Sequence, residues 1–242
     1  MPRDLAGMVV VVAGASSGMG RATAHALGAA GGRVVAGARN SDALRETVET
    51  ITNAGGEAVA VPTDATDAVA CHRLVAAATE RYGRLDALVN AVGTNIRNRA
   101  LDDLTEESWA EMLAANLTAA FHLTRAAVPV MRGRGVGVLI HIASSAARKP
   151  DRSGVAYQAT KAGVAALAHG TMEEERAIGL RVSVIYPGLT DTPLVLKRPT
   201  PTPPEVLAQA LQPEDIADAC LFILGLPPRA HVPELVVYPS RL

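Results

Sequence analysis

The strongest constraint on this chain is an alternation along its length. Short runs of mostly β-branched residues, Val9 to Val12, Val34-Val35, Ala58 to Val61, Leu85 to Val89, Val138 to Ile142, Val182 to Ile185 and Leu235 to Val237, take turns with longer stretches of helical spacing. Those stretches are Arg21 to Ala30, Ser41 to Ala54, Asp67 to Arg81, Thr105 to Met131, Val155 to Ile178 and Pro213 to Leu224. A strand apolar at every position leaves no face for water, so it is expected to be covered on both sides. Parallel strands need long crossovers, which the helices supply, and such crossovers are right-handed. The pattern predicts an α/β fold: a doubly wound parallel sheet of about seven strands with helices on both faces, running through residues 1–242 as one domain. In such a sheet ligands bind beyond the carboxyl ends of the strands.

Composition removes several classes of function. Apolar residues make up 49% of the chain, enough for a core around a buried sheet. With 23 Lys+Arg against 24 Asp+Glu the net charge is −1, which excludes a nucleic-acid binder that works by bulk positive charge. The charged fraction of 19% is too low for a disordered polyelectrolyte. Cys71 and Cys220 lie in separate helical stretches with no ligand neighbours at zinc spacing, so neither a disulfide framework nor a metal site is expected. Arg3 precedes an apolar run, Met8 to Ala13, that is too short for a signal segment or a membrane span, so a cytoplasmic protein without a membrane partner is expected. Leu194 to Pro204, with KRPTPTPP at its centre, should be neither regular helix nor central strand, and a lid is expected over about 194–211.

The turn after the first strand reads AGASSGMG, Ala13 to Gly20. Gly14, Gly18 and Gly20 lack a Cβ, which permits a tight turn, close approach of the backbone to a diphosphate and close packing of helix on strand. Three glycines alone would also suit an ordinary turn, but here they join a buried strand to a helix. At the end of the second strand, Gly37-Ala38-Arg39-Asn40 carries a base where an acid would select a ribose hydroxyl. Asp42 suits a helix N-cap. Tyr157 and Lys161, in YQATK, lie four residues apart on one helical face. A phenol titrates near 10, and lowering it by about 2–3 units takes roughly 3–4 kcal/mol of interaction with a neighbouring cation. Ser144 and Ser145 end the fifth strand, where a hydroxyl can donate to a substrate oxygen that gains charge. Asn116 is a poor choice inside a helical pattern and marks a special position.

These motifs in this order resemble the short-chain dehydrogenase/reductase family, of the compact type built on a Rossmann-like sheet, and the resemblance covers nearly the whole chain. Its Thr-Gly-x-x-x-Gly-x-Gly pattern fits Ala13 to Gly20 with Ala in place of Thr. The resemblance implies a cofactor site of Gly14, Ser16, Ser17, Gly18, Met19, Gly20, Arg39, Asn40, Asp64 and Ala65. Asn90, Ala91 and Gly93 of the NAVG stretch extend it, as do Tyr157, Lys161, Pro187, Gly188, Leu189, Thr190 and Thr192. Arg39 beside Ala38 implies NADP(H) in preference to NAD(H), Asp64 implies a hold on the adenine, and Asp67 reads as the cap of the next helix. The family's catalytic set maps to Asn116, Ser144, Tyr157 and Lys161. The Ser lies thirteen residues before the Tyr, which selects Ser144 and leaves Ser145 as a cap. Asn116 is implied to hold a water beside the Lys, and His141 is read as a strand residue.

The implied activity is hydride transfer between a carbonyl and an alcohol, on a small polar substrate. Its pocket is expected to involve Thr94 to Arg97, Ala146 to Asp151 and the lid, with Lys197 and Arg198 read as solvated lid surface in preference to carboxylate contacts. The C-terminal stretch from Leu211, together with TDTPL, resembles the branch of hydroxy-acid dehydrogenases and the clavulanate-aldehyde reductase. The apolar faces of the two long helices imply a homotetramer or a dimer. An NADP(H) sensor without turnover is the alternative, and intact Tyr157 and Lys161 weigh against it.

Overall fold

A computed structural model describes residues 5–241; Arg3 lies outside them. In chain order the strands and helices are β1 (Val9–Ala13), α1 (Gly18–Ala29), β2 (Arg33–Ala38), α2 (Ser41–Asn53), β3 (Glu57–Pro62), α3 (Ala68–Tyr82), β4 (Ala87–Asn90), α4 (Glu106–Met112), α5 (Ala119–Arg132), β5 (Gly137–Ile142), α6 (Val155–Glu175), β6 (Leu180–Pro187), α7 (Pro204–Leu207), α8 (Pro213–Leu224) and β7 (Glu234–Val237). The strands form a parallel sheet in the order β3-β2-β1-β4-β5-β6-β7.

Side chains alternate across a strand, so a run of four valines feeds two cores at once. Val9 and Val11 pack on the α3, α5 and α6 side with Leu74, Leu123 and Ala168. Val10 and Val12 pack on the α1, α2 and α8 side with Leu27, Leu44 and Ile223. Covering on both faces holds for the inner strands; β3 and β7 are the sheet edges and are only half-buried.

Local chemistry departs from the sequence reading in several places. Asn40, not Asp42, caps α2, its Oδ1 accepting from Ala43 N at 3.1 Å, because Asp42 already lies in the first turn, paired with Arg45. Asp67 caps α3 as expected, accepting from Val69 N at 2.8 Å. Leu85 precedes β4, which ends on Asn90. The single helix expected from Thr105 to Met131 is divided: a π turn, Leu113–Thr118, separates α4 from α5, and the wider turn carries the buried Asn116. The proline-rich stretch does take up helical turns, a 3₁₀ segment at Pro193–Lys197 and α7, since proline is tolerated at the first position of a helix.

Candidate active site

Strand order reverses between β1 and β4, and the turns that follow these two strands diverge around a cavity of about 400 Å³. Gly14 sits there at φ +87°, and a Cβ would meet the Ala91 carbonyl carbon at 2.8 Å, so only glycine brings the two turns together. The turn lacks the Thr hydroxyl of the family pattern, and backbone holds it instead: Gly14 N and Ala15 N both donate to Gly37 O, at 2.8 and 3.1 Å. Ser17 stands at the N-cap of α1, yet its side chain makes no capping bond. The first-turn amides are therefore left without a side-chain acceptor next to Gly18, Met19 and Gly20, which line the cavity. A helix start with free N–H donors at a cradle that a Cβ would fill suits a diphosphate. Ser16 lines the same wall, and its carbonyl accepts from Arg21.

The far end of the cavity holds Arg39, which is exposed, and Asn40, whose amide is committed to capping α2. Asp64 and Ala65 line the side wall. The Asp64 carboxylate accepts from Thr66 N at 2.9 Å and Thr66 Oγ1 at 2.8 Å, and these bonds hold its carboxyl below the usual range. Thr66 also lines the cavity and was missed in the sequence, where nothing but its spacing from Asp64 marks it.

Ala91 and Gly93 border the same cavity, whereas Asn90 does not. Asn90 is buried and acts at one remove: its Oδ1 accepts from Val92 N at 3.0 Å and its Nδ2 donates to His141 Nδ1 at 3.2 Å. That fixes the ring, since His141 Nε2 then donates to Thr124 Oγ1 at 3.3 Å, whose own proton goes to Ala120 O. Complete burial and the Lys161 charge push the His141 pKa down to about 4, so the imidazole is neutral.

Tyr157 and Lys161 both project from α6 and are buried. Lys161 Nζ donates to Ile142 O at 3.0 Å and lies 5.9 Å from the Tyr157 ring centroid. A Cβ on Gly93 would come within 2.9 Å of that ammonium, so the glycine serves the lysine as well as the cradle. Burial lowers the Lys161 pKa to about 8. In the chain by itself the Tyr157 phenol is not brought below its ordinary value. Burial pushes the phenol up and outweighs the downward pull of the Ser144 hydroxyl. Ser144, not Ser145, is the cap of the 3₁₀ turn Ser145–Ala147, accepting from Ala146 N at 3.2 Å. Asn116 braces the loop after β4: it accepts from Thr94 N at 2.7 Å and donates to Thr94 O at 3.1 Å and Thr160 Oγ1 at 3.0 Å.

A second cavity of about 120 Å³ contains Ser144 and Tyr157 and shares Met19, Thr192 and Leu194 with the first. Pro187, Gly188, Leu189 and Thr190 form part of its wall, the Thr190 hydroxyl being turned onto Gly188 O at 3.2 Å. Of the expected lining, Asn95, Asp151 and the lid contribute; Thr94, Ile96, Arg97 and the stretch 146–150 do not. Lys197 is exposed lid surface as expected, donating to Thr94 Oγ1 at 2.6 Å, while Arg198 is half-buried and lines the cavity, against its reading as lid surface. Arg99 and Ser153 line it too and were missed, because a loop such as NIRNRA has no periodicity to say which base turns inward.

A family profile described as short chain dehydrogenase matches residues 8–201. An uncharacterized oxidoreductase of Staphylococcus haemolyticus strain JCSC1435 is 32% identical over 236 residues, 98% of this chain and 99% of that protein. Among solved structures, the alcohol dehydrogenase of the archaeon Thermococcus sibiricus complexed with 5-hydroxy-NADP has a TM-score of 0.87 at 29% identity, covering 97% of each chain. The closed form of serine dehydrogenase complexed with NADP+ has a TM-score of 0.89 at 27% identity, covering 97% of this chain and 96% of that one. Among the described residues, no helix is long and apolar enough to cross a membrane.

Proposed function

The chain belongs to the short-chain dehydrogenase family and is an oxidoreductase acting on CH–OH or C=O groups with a nicotinamide dinucleotide, and from that premise we propose an NADP(H)-dependent interconversion of a small polar carbonyl compound and its alcohol. The observation that carries this reading is that Tyr157 and Ser144 share a small cavity that continues, through Met19, Thr192 and Leu194, into the dinucleotide cradle.

When bound, the nicotinamide supplies the hydride. Tyr157 gives its proton to the carbonyl oxygen, and its raised pKa keeps that proton in place until the oxygen gains charge. Ser144 Oγ orients the same oxygen. Lys161 stabilises the phenolate left behind by its charge, while one of its three N–H donors stays on Ile142 O. Asn116 fixes Thr94 and Thr160 on either side of this group and, with a water, returns the proton. The sequence after β2 supports NADP(H): no acid stands at Ala38 to repel a phosphate, and Arg39 lines the cavity without an ion pair among the described residues, leaving its guanidinium for the phosphate. The serine dehydrogenase and alcohol dehydrogenase neighbours, both complexed with NADP or an analogue, support the same choice.

The test is NADPH oxidation over a panel of ketones and aldehydes, with the affinities of NADPH and NADH measured for wild type and Arg39→Ala. Turnover, with NADPH binding weakened about tenfold or more by the substitution and NADH binding unchanged, supports the reading. Equal affinity for both dinucleotides overturns the cofactor assignment, and tight NADPH binding without turnover on any member of the panel moves the chain to the sensor alternative.

A further inference from the structure

The cavity lined by Tyr157 is also lined by Arg99 and Arg198, both half-buried. Arg99 is held in place by neutral acceptors, Nε on Ile96 O at 3.0 Å and Nη2 on Lys197 O at 2.6 Å. Arg198 Nη1 donates to Thr202 Oγ1 at 3.1 Å. Among the described residues neither forms an ion pair. They are close enough to repel: after burial itself, the Arg198 charge is what most depresses the Arg99 pKa. Asp151 is the carboxylate on this wall; it is exposed, and its Oδ1 is engaged by Ser153 N at 2.8 Å. Two cations therefore face one anion. Ser153 belongs to the same wall, but its Oγ is closed off behind it and finds no hydrogen-bond partner among the described residues. Two like charges held together in partial burial cost free energy. One anionic group on the ligand relieves that repulsion.

Resting on the carbonyl reading above and naming its substrate, we propose that the substrate carries a carboxylate, held between Arg99 and Arg198, while the carbonyl oxygen faces Tyr157. The guanidinium fork matches the plane of a carboxylate, and a cavity of about 120 Å³ suits a compound of a few carbons. Arg99 has a second task, since its bond to Lys197 O, with those of Arg97 to Leu196 O and Lys197 to Thr94, pins the lid to the loop after β4. Arg198 makes no such tie across to that loop, which makes it the cleaner residue to change.

The experiment measures binding of glyoxylate, 3-oxobutanoate and 4-oxobutanoate, each against its amide, to the protein saturated with NADP+ by calorimetry, and NADPH oxidation with the same pairs. At least one acid is expected to exceed its amide about tenfold or more in affinity and in kcat/KM. In Arg198→Gln that ratio should fall to within about threefold while NADPH binding stays intact, and Arg99→Gln should follow it. No acid preferred over its amide, or a preference unchanged in Arg198→Gln, overturns the proposal; so does tighter binding of glyceraldehyde 3-phosphate than of any acid. Charge-selective binding without oxidation of NADPH by any carbonyl keeps the carboxylate site and defeats the reductase reading instead, so the two failures are distinct.

Discussion

The two cavities of this site are built from different materials. Around the dinucleotide cradle the working groups are main chain: the Gly14 and Ala15 amides on Gly37 O, the open first turn of α1, and the close approach of Gly14 to Ala91. Around Tyr157 they are side chains, buried and mutually dependent: Lys161 on Ile142 O, Asn116 between Thr94 and Thr160, and the chain from Asn90 through His141 to Thr124. The first kind of site fails when atoms are added, the second when chemistry or pH is changed. The first grips a constant ligand, and the second can be retuned one residue at a time.

The sharpest way to break this contrast is to add one methyl group to the cradle. Gly14→Ala forces a Cβ to within 2.8 Å of the Ala91 backbone at φ +87°, and NADPH affinity should fall on the order of a hundredfold. Fluorescence titration of NADPH checks it, and an affinity within threefold of wild type would show that the cradle is not a main-chain device.

The next effect belongs to the side-chain half and appears as pH dependence. His141 titrates near 4 in the folded chain against 6.5 as an ordinary imidazole, so between those values the unfolded chain binds the extra proton. Stability is therefore complete above about pH 6.5 and is lost as pH falls toward 4, by about 2–3 kcal/mol at pH 4.5. Urea unfolding of wild type and His141→Asn should show this acid loss in the first and a much flatter profile in the second. A smaller effect comes from Lys161, whose pKa falls from 10.5 to about 8 on burial. Its charge costs about 3 kcal/mol at neutral pH, a cost that fades as pH rises from 8 to 10.5. Setting the lost Ile142 bond, about 1 kcal/mol, against that, Lys161→Met should gain about 2 kcal/mol of stability at pH 7 in thermal unfolding while losing turnover. A less stable variant would mean the ammonium is better paired than its surroundings indicate.

The same division explains what could be read from the sequence. The sheet was legible because buried strands write themselves as Val9 to Val12 and Leu139 to Ile142, and the cradle because Gly14, Gly18 and Gly20 have few other uses at that spacing. Asn40 displaced Asp42 as a cap because two residues of similar capping power lie two positions apart, and only the helix start decides between them. The π turn was foreshadowed by Asn116, but its partner Thr94 lies 22 residues away, and no periodicity reports such a contact. Arg99 and Ser153 were hidden, and Arg198 was assigned to the lid surface, for the same reason: their meaning depends on three loops meeting, and a loop sequence does not encode which side chains turn inward.

The most direct measurement of the account is Tyr157→Phe, read for NADPH affinity and NADPH oxidation in the same preparation. The main-chain cradle predicts an affinity within about twofold of wild type, and the proton-donor role predicts loss of turnover by a thousandfold or more. Turnover that survives the loss of the hydroxyl would contradict the account at its centre.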